Sequence, residues 1–379
     1  MTSSSDHQTT KLSVVIPCFN ESATLKACVE QVLCIADETL SLEIIIVDDH
    51  STDDSPSIAH DLETCSKAVR VLRHDKNQGK GAALRTGFAH ATGDFIAIHD
   101  ADLEYDPNDL KRLLDPLLAD KADVVIGSRF LSPGAHRVLY FWHSVANKIL
   151  TLLSNMLTDL NLTDMECCHK IFRSDVIKSI DLKENRFGFE PEIVAKVAQK
   201  RLRIYEMGVS YEGRTYAEGK KIGWKDAFRA IYCILHYNLP YNPPYIQFFF
   251  YLFVGGAAAL VNMIVFLFMF SADIPVEISA PFAFFVAALV NYLLSIAFVF
   301  RHKTKWRPMS ELVVFFVVVV CVAALDLWVT KMLLALGYSP GISKGTATAV
   351  ALLLNYTGRR YIVFPWSGRR RWSNRIRRK

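Results

Sequence analysis

Two carboxylates one residue apart, Asp100 and Asp102, follow the apolar run Phe95-Ile96-Ala97-Ile98, and Glu104 stands just beyond them. If that run is a strand, its alternating faces send Asp100 and Asp102 to one side. Oxygen ligands so placed suit a hard divalent cation, Mg²⁺ or Mn²⁺, shared with substrate phosphates. An acidic turn after a strand is the plainer alternative. Two further clusters sit at comparable places. Asp48-Asp49 follows Glu43-Ile44-Ile45-Ile46-Val47, where helix capping is the competing reading. Asn77-Gln78-Gly79-Lys80-Gly81 puts glycines and a lysine at a helix entrance, which suits a phosphate, although it lacks the spacing of a P-loop.

The elements that must position these groups follow from periodicity. Apolar or β-branched runs at 12–17, 43–47, 69–72, 95–98 and 123–127 read as strands. Helical patterns fill 22–35 and the stretch from 77–81 to about Ala91, and a helix N-terminus is expected at Ser51 or Thr52. Alternating strands and helices imply an α/β domain with a mostly parallel sheet, whose ligands bind at the C-terminal strand ends. The polar clusters fall at those ends.

Composition bounds the rest. The chain has 379 residues, 51% hydrophobic, with a formal charge of +5, and its apolar excess lies after Tyr245. Residues 1–10 are polar and expected to be disordered; they lack the basic and apolar regions of a signal peptide, so the first domain is expected in the cytoplasm. The eight cysteines show no Cys-x-x-Cys pair or metal spacing, and reduced, mostly buried thiols are expected.

Taken in order, Val15-Ile16-Pro17-Cys18-Phe19-Asn20-Glu21, Val47-Asp48-Asp49-His50-Ser51, Asn77-Gln78-Gly79-Lys80-Gly81, Asp100-Ala101-Asp102-Leu103 and Gly127-Ser128-Arg129-Phe130 resemble the motifs of family 2 glycosyltransferases of GT-A fold. Within that family the chain is similar to the polyprenyl-phosphate (dolichyl- or undecaprenyl-phosphate) hexosyltransferases. The resemblance implies that Pro17, Phe19, Glu21 and Asp49 line a nucleoside pocket, with Lys80, Asp100 and Ala101 beside the nucleotide. It puts Asp100, Asp102 and Glu104 around metal and diphosphate, and Arg129 toward the reacting phosphate. Glu104 departs from the glutamine of many mannosyl members. Leu162 to Arg173, with Asp164, matches a later acidic segment and is closer to glucosyl-type enzymes, although Cys168 and His169 depart from their glycine and aromatic residue. Phe187-Gly188-Phe189-Glu190-Pro191-Glu192 either brings an acidic residue to the sugar or starts a helix with an acidic turn.

Arg214 and Lys221 match the basic positions of the family's acceptor loop, suited to a lipid phosphate. Apolar residues at 224, 228, 231 and 235 give the next helix an interfacial pattern, and residues 140–157 form a second amphipathic candidate that could equally pack as core. The expected domains are 11–238, a proline-rich linker at 239–245, a four-helix membrane domain over 246–366 and a basic tail at 367–379. Its apolar runs, at about 246–270, 277–300, 309–335 and 341–364, could each span ~30 Å of hydrocarbon. Basic residues in 301–307 and 369–379 put both termini and the middle loop in the cytoplasm. Asn291-Tyr292 and Phe298-Val299-Phe300 recur at an offset of 64 as Asn355-Tyr356 and Ile362-Val363-Phe364, and Asn262 falls over Asp326. Two related hairpins resembling the GtrA-type domain are expected, with the polar residues hydrogen-bonding inside the bundle.

These expectations combine into an inverting, metal-dependent transfer of a hexose, glucose before mannose, from UDP-glucose or GDP-mannose to a polyprenyl phosphate. Asp100, Asp102, Arg129 and Asp164 are the catalytic candidates, and Arg129, Arg214 and Lys221 hold the acceptor phosphate. The alternatives are a dolichyl-phosphate mannosyltransferase, a processive polysaccharide synthase, or a membrane scaffold or lipid translocator. The synthase motif Gln-x-x-Arg-Trp is missing, and positive-inside topology accounts for the basic tail without nucleic acid. Self-association stays open.

Overall fold

The computed structural model describes residues 9–131, 137–138, 140–213, 224–300 and 308–364. They fall into two units that divide at Asn238–Leu239.

In the first unit, β1 (Thr10–Cys18), α1 (Leu25–Leu33), β2 (Leu40–Asp48), α2 (Ser55–Cys65), β3 (Val69–Arg73), α3 (Lys80–His90) and β4 (Phe95–Ile98) alternate as the periodicity requires. Then come α4 (Asn108–Leu118), β5 (Val124–Ser128), α5 (Phe141–Thr158), β6 (Lys170–Arg173), α6 (Ser174–Lys178), α7 (Phe189–Gln199), β7 (Ile204–Gly208) and α8 (Trp224–Asn238). The sheet order is β3-β2-β1-β4-β6-β5-β7. β6 runs antiparallel between β4 and β5, and the other pairings are parallel. Ile44 to Val47 are fully buried because helices cover both faces of the sheet.

Two expectations change here. The second helix begins at Ser55, not at Ser51 or Thr52. Those two residues are taken by the first loop: the Asn20 backbone N–H donates to Ser51 Oγ at 3.0 Å, and the Thr52 N–H donates to Asn20 Oδ1 at 2.8 Å. β6 and β7 were not anticipated. In β6 a buried lysine, Lys170, breaks the apolar pattern; its ammonium is satisfied locally by the carbonyls of Met165 and Cys167.

The second unit holds α9 (Pro244–Ser271), α10 (Val276–Leu294), α11 (Pro308–Ala335) and α12 (Pro340–Gly358). Among the described residues, three stretches are long and apolar enough to cross a membrane: Pro244–Met269, Phe282–Val299 and Ser310–Ala335. The fourth run does not reach that standard, since α12 carries Ser343, Lys344 and several glycines and threonines. The repeat is visible in the backbone. α10 and α12 each end in a π-turn, Ser295–Val299 and Arg359–Val363, at the same offset. Asn291 and Asn355 both accept from the Arg359 guanidinium, which agrees with a bundle-internal role. The expected linker is ordered: Leu239–Tyr241 is a 3₁₀ turn, and Gln247 donates to the carbonyls of Leu239 and Asn242 at 2.9 and 3.0 Å. The loop 301–307 and the tail 367–379 lie outside the described residues.

All eight cysteines are free; Cys18, Cys28, Cys167 and Cys233 are buried, Cys168 is partly buried, and Cys34, Cys65 and Cys321 are exposed.

Candidate active site

The C-terminal ends of β1, β2, β4 and β5 open onto one cavity of about 580 Å³. Its wall includes Pro17, Phe19, Glu21, Asp49, Lys80, Asp100, Ala101, Asp102, Glu104 and Arg129, so every described candidate but Asp164 reaches it. Arg214 and Lys221 lie outside the described residues.

β4 stops at Ile98, so strand alternation does not place the acidic pair. Asp100 and Asp102 sit in the loop beyond, and the fold of that loop turns both to the cavity. Lys80, at the first turn of α3, lies 2.8 Å from Asp100 Oδ1, 3.3 Å from Glu190 Oε1 and 2.9 Å from Cys168 Sγ. Burial, the largest single influence, would raise the Asp100 carboxyl, but the Lys80 charge together with hydrogen bonds from Cys168 and Lys80 holds the group below its usual range. Burial acts against the ammonium in turn, and Asp100 and Glu190 keep it charged.

Asp49 has a structural duty. Its carboxylate accepts from His74 Nδ1 at 2.7 Å and from the backbone N–H groups of Gln78 and Gly79 at 2.9 and 2.6 Å, which shapes the loop leading into α3. The glycines of that loop answer to packing as well as to any phosphate. Gly79 has φ +96°, and a Cβ on Gly79 or Gly81 would run into the carbonyls of Asn185 and Glu184.

Arg129, just past β5, is gripped by Asp164 through Nε at 2.6 Å and Nη2 at 2.8 Å, and its guanidinium lies 5.2 Å from the Tyr211 ring centroid. Asp164 is fully buried and also accepts from Asn147 Nδ2 at 2.9 Å. It therefore stands behind Arg129, not on the cavity wall. Behind Asp100, His99 Nδ1 and His169 Nε2 meet at 2.8 Å, and the His169 ring lies against Tyr105. Burial pushes the His99 imidazole down to about 4, so this pair is neutral.

Asp100, Asp102 and Glu104 bring hard oxygen donors to one wall, a donor set that fits Mg²⁺ or Mn²⁺. They are not gathered into a ready cluster: among the described residues no three His, Cys, Asp or Glu side chains are grouped to hold an ion. Glu104 Oε2 instead accepts from the Tyr211 hydroxyl at 2.9 Å. The fit is to a site completed by ligand oxygens.

Sequence reasoning passed over other parts of the wall: Asn147, Glu166, Glu190, Tyr105 and Tyr211 also line it. Glu190 had a signal as one of two acidic residues opening α7, and Glu166 as part of the acidic segment Leu162 to Arg173. The outer face of α5 exposes Phe141, Trp142, Ile149, Leu152 and Met156, as the amphipathic reading expects, while Leu150 and Leu157 pack inward. α8 likewise exposes Phe228 and buries Ala230, Cys233 and Ile234.

The fold and the site define an α/β domain with a mostly parallel sheet and an acidic, ligand-sized cavity at its C-terminal edge. Residues 13–181 match glycosyl transferase family 2, and residues 250–364 match the GtrA/DPMS transmembrane domain. The chain carries a family 2 glycosyltransferase domain followed by a GtrA/DPMS transmembrane domain. It is 30% identical over 220 residues to a low-salt glycan biosynthesis hexosyltransferase of Haloferax volcanii, covering 56% of this chain and 51% of that protein. It is 30% identical to a dodecaprenyl-phosphate galacturonate synthase of Rhizobium johnstonii, over 60% of this chain and 66% of that protein. A dolichol-phosphate mannosyltransferase of Pyrococcus furiosus is 26% identical over 93% of this chain and 97% of its own length. The chain thus spans about half of the first of these and nearly all of the last.

Proposed function

We propose that this protein transfers a hexose, glucose before mannose, from a nucleotide sugar to a polyprenyl phosphate at the cytoplasmic face of a membrane. The observation that carries the reading is a cavity that joins Asp100 and Asp102 to Lys80 and Arg129 in a chain with a transmembrane domain. The relatives' polyprenyl- and dolichol-phosphate names support the acceptor class.

In this reading Pro17, Phe19, Glu21 and Asp49 receive the nucleoside, and Lys80 lies against the diphosphate. Asp100 and Asp102, with Glu104 beside them, are the residues that would hold Mg²⁺ or Mn²⁺, which when bound supplies positive charge to the departing nucleoside diphosphate. The acceptor phosphate is already anionic at neutral pH and needs little base assistance. Arg129, oriented by Asp164, holds it for attack on the anomeric carbon, joined by Arg214 and Lys221. A phosphate oxygen forms the new bond as the carbon–diphosphate bond breaks, its electron pair leaving with the diphosphate, and the configuration inverts. The exposed apolar faces of α5 and α8 support a lipid-surface location, and the basic stretches 301–307 and 369–379 support cytoplasmic termini.

The test uses the full chain in detergent with undecaprenyl phosphate, Mg²⁺ or Mn²⁺, and UDP-glucose, UDP-N-acetylglucosamine or GDP-mannose in turn. Metal-dependent formation of a sugar-phospholipid from one donor is expected. Nucleotide binding with no lipid product from any donor would overturn the reading.

A further inference from the structure

The segment 183–188 runs between the first turn of α3, which carries Lys80, and α8, the helix that exposes Phe228. Its contacts on both sides are close because glycines leave the room. A Cβ on Gly79 would lie 2.4 Å from the carbonyl oxygen of Asn185, and one on Gly81 2.4 Å from that of Glu184. Toward α8, a Cβ on Gly188 would lie 2.6 Å from Glu184 Oε2 and 2.7 Å from Cys233 Sγ. Packing this tight passes a shift on one side to the other.

Glu184 is the joint in this segment. Its buried carboxylate accepts from two residues of α8: from Arg229 Nε and Nη2 at 3.2 and 2.7 Å, and from the Tyr237 hydroxyl at 3.0 Å. Its backbone N–H donates to Glu192 Oε2 of α7 at 2.7 Å. Its carbonyl accepts from Arg85 of α3, and the neighbouring Asn185 carbonyl accepts from the Ala82 N–H at 3.1 Å. One residue thus ties α8 and α7 to the turn that holds Lys80 2.8 Å from Asp100 Oδ1. Neither Glu184 nor Arg229 belongs to the cavity wall.

We infer that Glu184 is a positioning residue for donor binding: held by Arg229 and Tyr237, it fixes α8 to the first turn of α3 and so places Lys80 for a diphosphate. Only that last step rests on the nucleotide-sugar reading of the cavity. Without Arg229 the Glu184 carboxylate is a buried charge that has lost its counter-ion, and the segment relieves it by moving toward water. The contacts at Gly79 and Gly81 carry that movement to Lys80. Nε and Nη2 of Arg229 meet a single oxygen, Oε2, so the contact asks for charge at one point, which a lysine can supply.

The experiment uses the full chain in detergent, with Arg229→Met, Arg229→Lys, Glu184→Gln and Arg229→Met/Glu184→Gln. Calorimetry with UDP and GDP reads binding, and transfer from UDP-glucose and GDP-mannose to undecaprenyl phosphate reads KM and kcat. Hydrogen exchange reads the amides of α3 in the nucleotide-free chain. The Arg229 side chain is 52% exposed and methionine keeps its apolar stem, so Arg229→Met is expected to fold. It should weaken nucleoside diphosphate binding about tenfold, raise donor KM alike with kcat little changed, and speed exchange in the first turn of α3. Glu184→Gln should weaken binding as well, with the double variant no worse than Arg229→Met, whereas a direct effect of the Arg229 charge on the nucleotide would persist beside Glu184→Gln. Arg229→Lys should restore binding to within about threefold of wild type. Wild-type affinity or unaltered α3 exchange in Arg229→Met, or losses that add in the double variant, would overturn the joint. Faster α3 exchange in Arg229→Met, in a protein whose wild type binds neither UDP nor GDP, would sink the nucleotide-sugar reading and leave the joint standing.

Discussion

Nε and Nη2 of Arg129 meet the two carboxylate oxygens of Asp164 at 2.6 and 2.8 Å, in a pair that is 9% exposed on the arginine side and closed on the aspartate side. Bidentate pairing fixes the plane of the guanidinium, so Asp164 acts by aiming Arg129. Asp164→Asn is expected to lower kcat by about 10²-fold with donor KM nearly unchanged. Asp164→Ala leaves an unpaired buried arginine and is expected to cost about 3–5 kcal/mol of stability, read by denaturant unfolding. An Asp164→Asn variant with normal kcat would dismiss the positioning role.

The acidic pair predicts a different kinetic signature. Asp100→Asn/Asp102→Asn together should lower turnover by about 10³-fold or more and abolish its dependence on Mg²⁺ or Mn²⁺. Steady-state rates across a metal titration decide it, and turnover within tenfold of wild type would defeat the mechanism.

Glu166 gives a pH test. Its carboxyl sits at about 8 in the folded chain, against 4.5 as the ordinary value, through burial first and the Glu190 charge second. A raised carboxyl favours folding fully below about 4.5, and that contribution is lost as pH rises through about 8. Thermal melting from pH 5 to pH 9 should show the wild type losing several degrees more than Glu166→Gln. Parallel curves would show that Glu166 is already ionised at low pH.

Gly79 should tolerate nothing larger. Its φ of +96° and the closeness of Asn185 predict that Gly79→Ala costs about 2 kcal/mol or more and weakens nucleoside diphosphate binding, because the loop that carries Lys80 must move. Urea unfolding together with UDP or GDP titration reads both effects, and an alanine variant with wild-type values in each would refute the packing account.

The apolar face of α5 provides the remaining test. Trp142→Ser/Leu152→Ser replaces side chains that are 78% and 61% exposed, so stability should change by less than about 1 kcal/mol. Flotation with anionic vesicles should weaken for residues 9–238 produced alone, provided that fragment melts cooperatively; unaltered flotation would detach α5 from the membrane.

Much of the fold was legible because its signals are local. The run Ile44–Val47 declares a strand buried on both faces, and the apolar stretch in α9 declares a helix of membrane length, each from hydropathy over one element. β6 was missed for the converse reason: Lys170 looks like solvent in sequence, and only the carbonyls of Met165 and Cys167 make its burial tolerable.

From residue order alone came the mostly parallel α/β domain, the loops that bear Asp100, Asp102, Lys80 and Arg129, and the 64-residue repeat of the membrane unit. Tertiary structure decided what each polar group does. Asp164 serves Arg129 from 35 residues away, Asp49 shapes the loop at Gly79, and of two acidic residues in one helical turn Glu192 is spent on backbone while Glu190 faces the cavity. Spacing along the chain sets which face a side chain occupies. Its partner, and therefore its charge and its freedom to meet a substrate, depends on segments that come close only when the sheet and its helices pack.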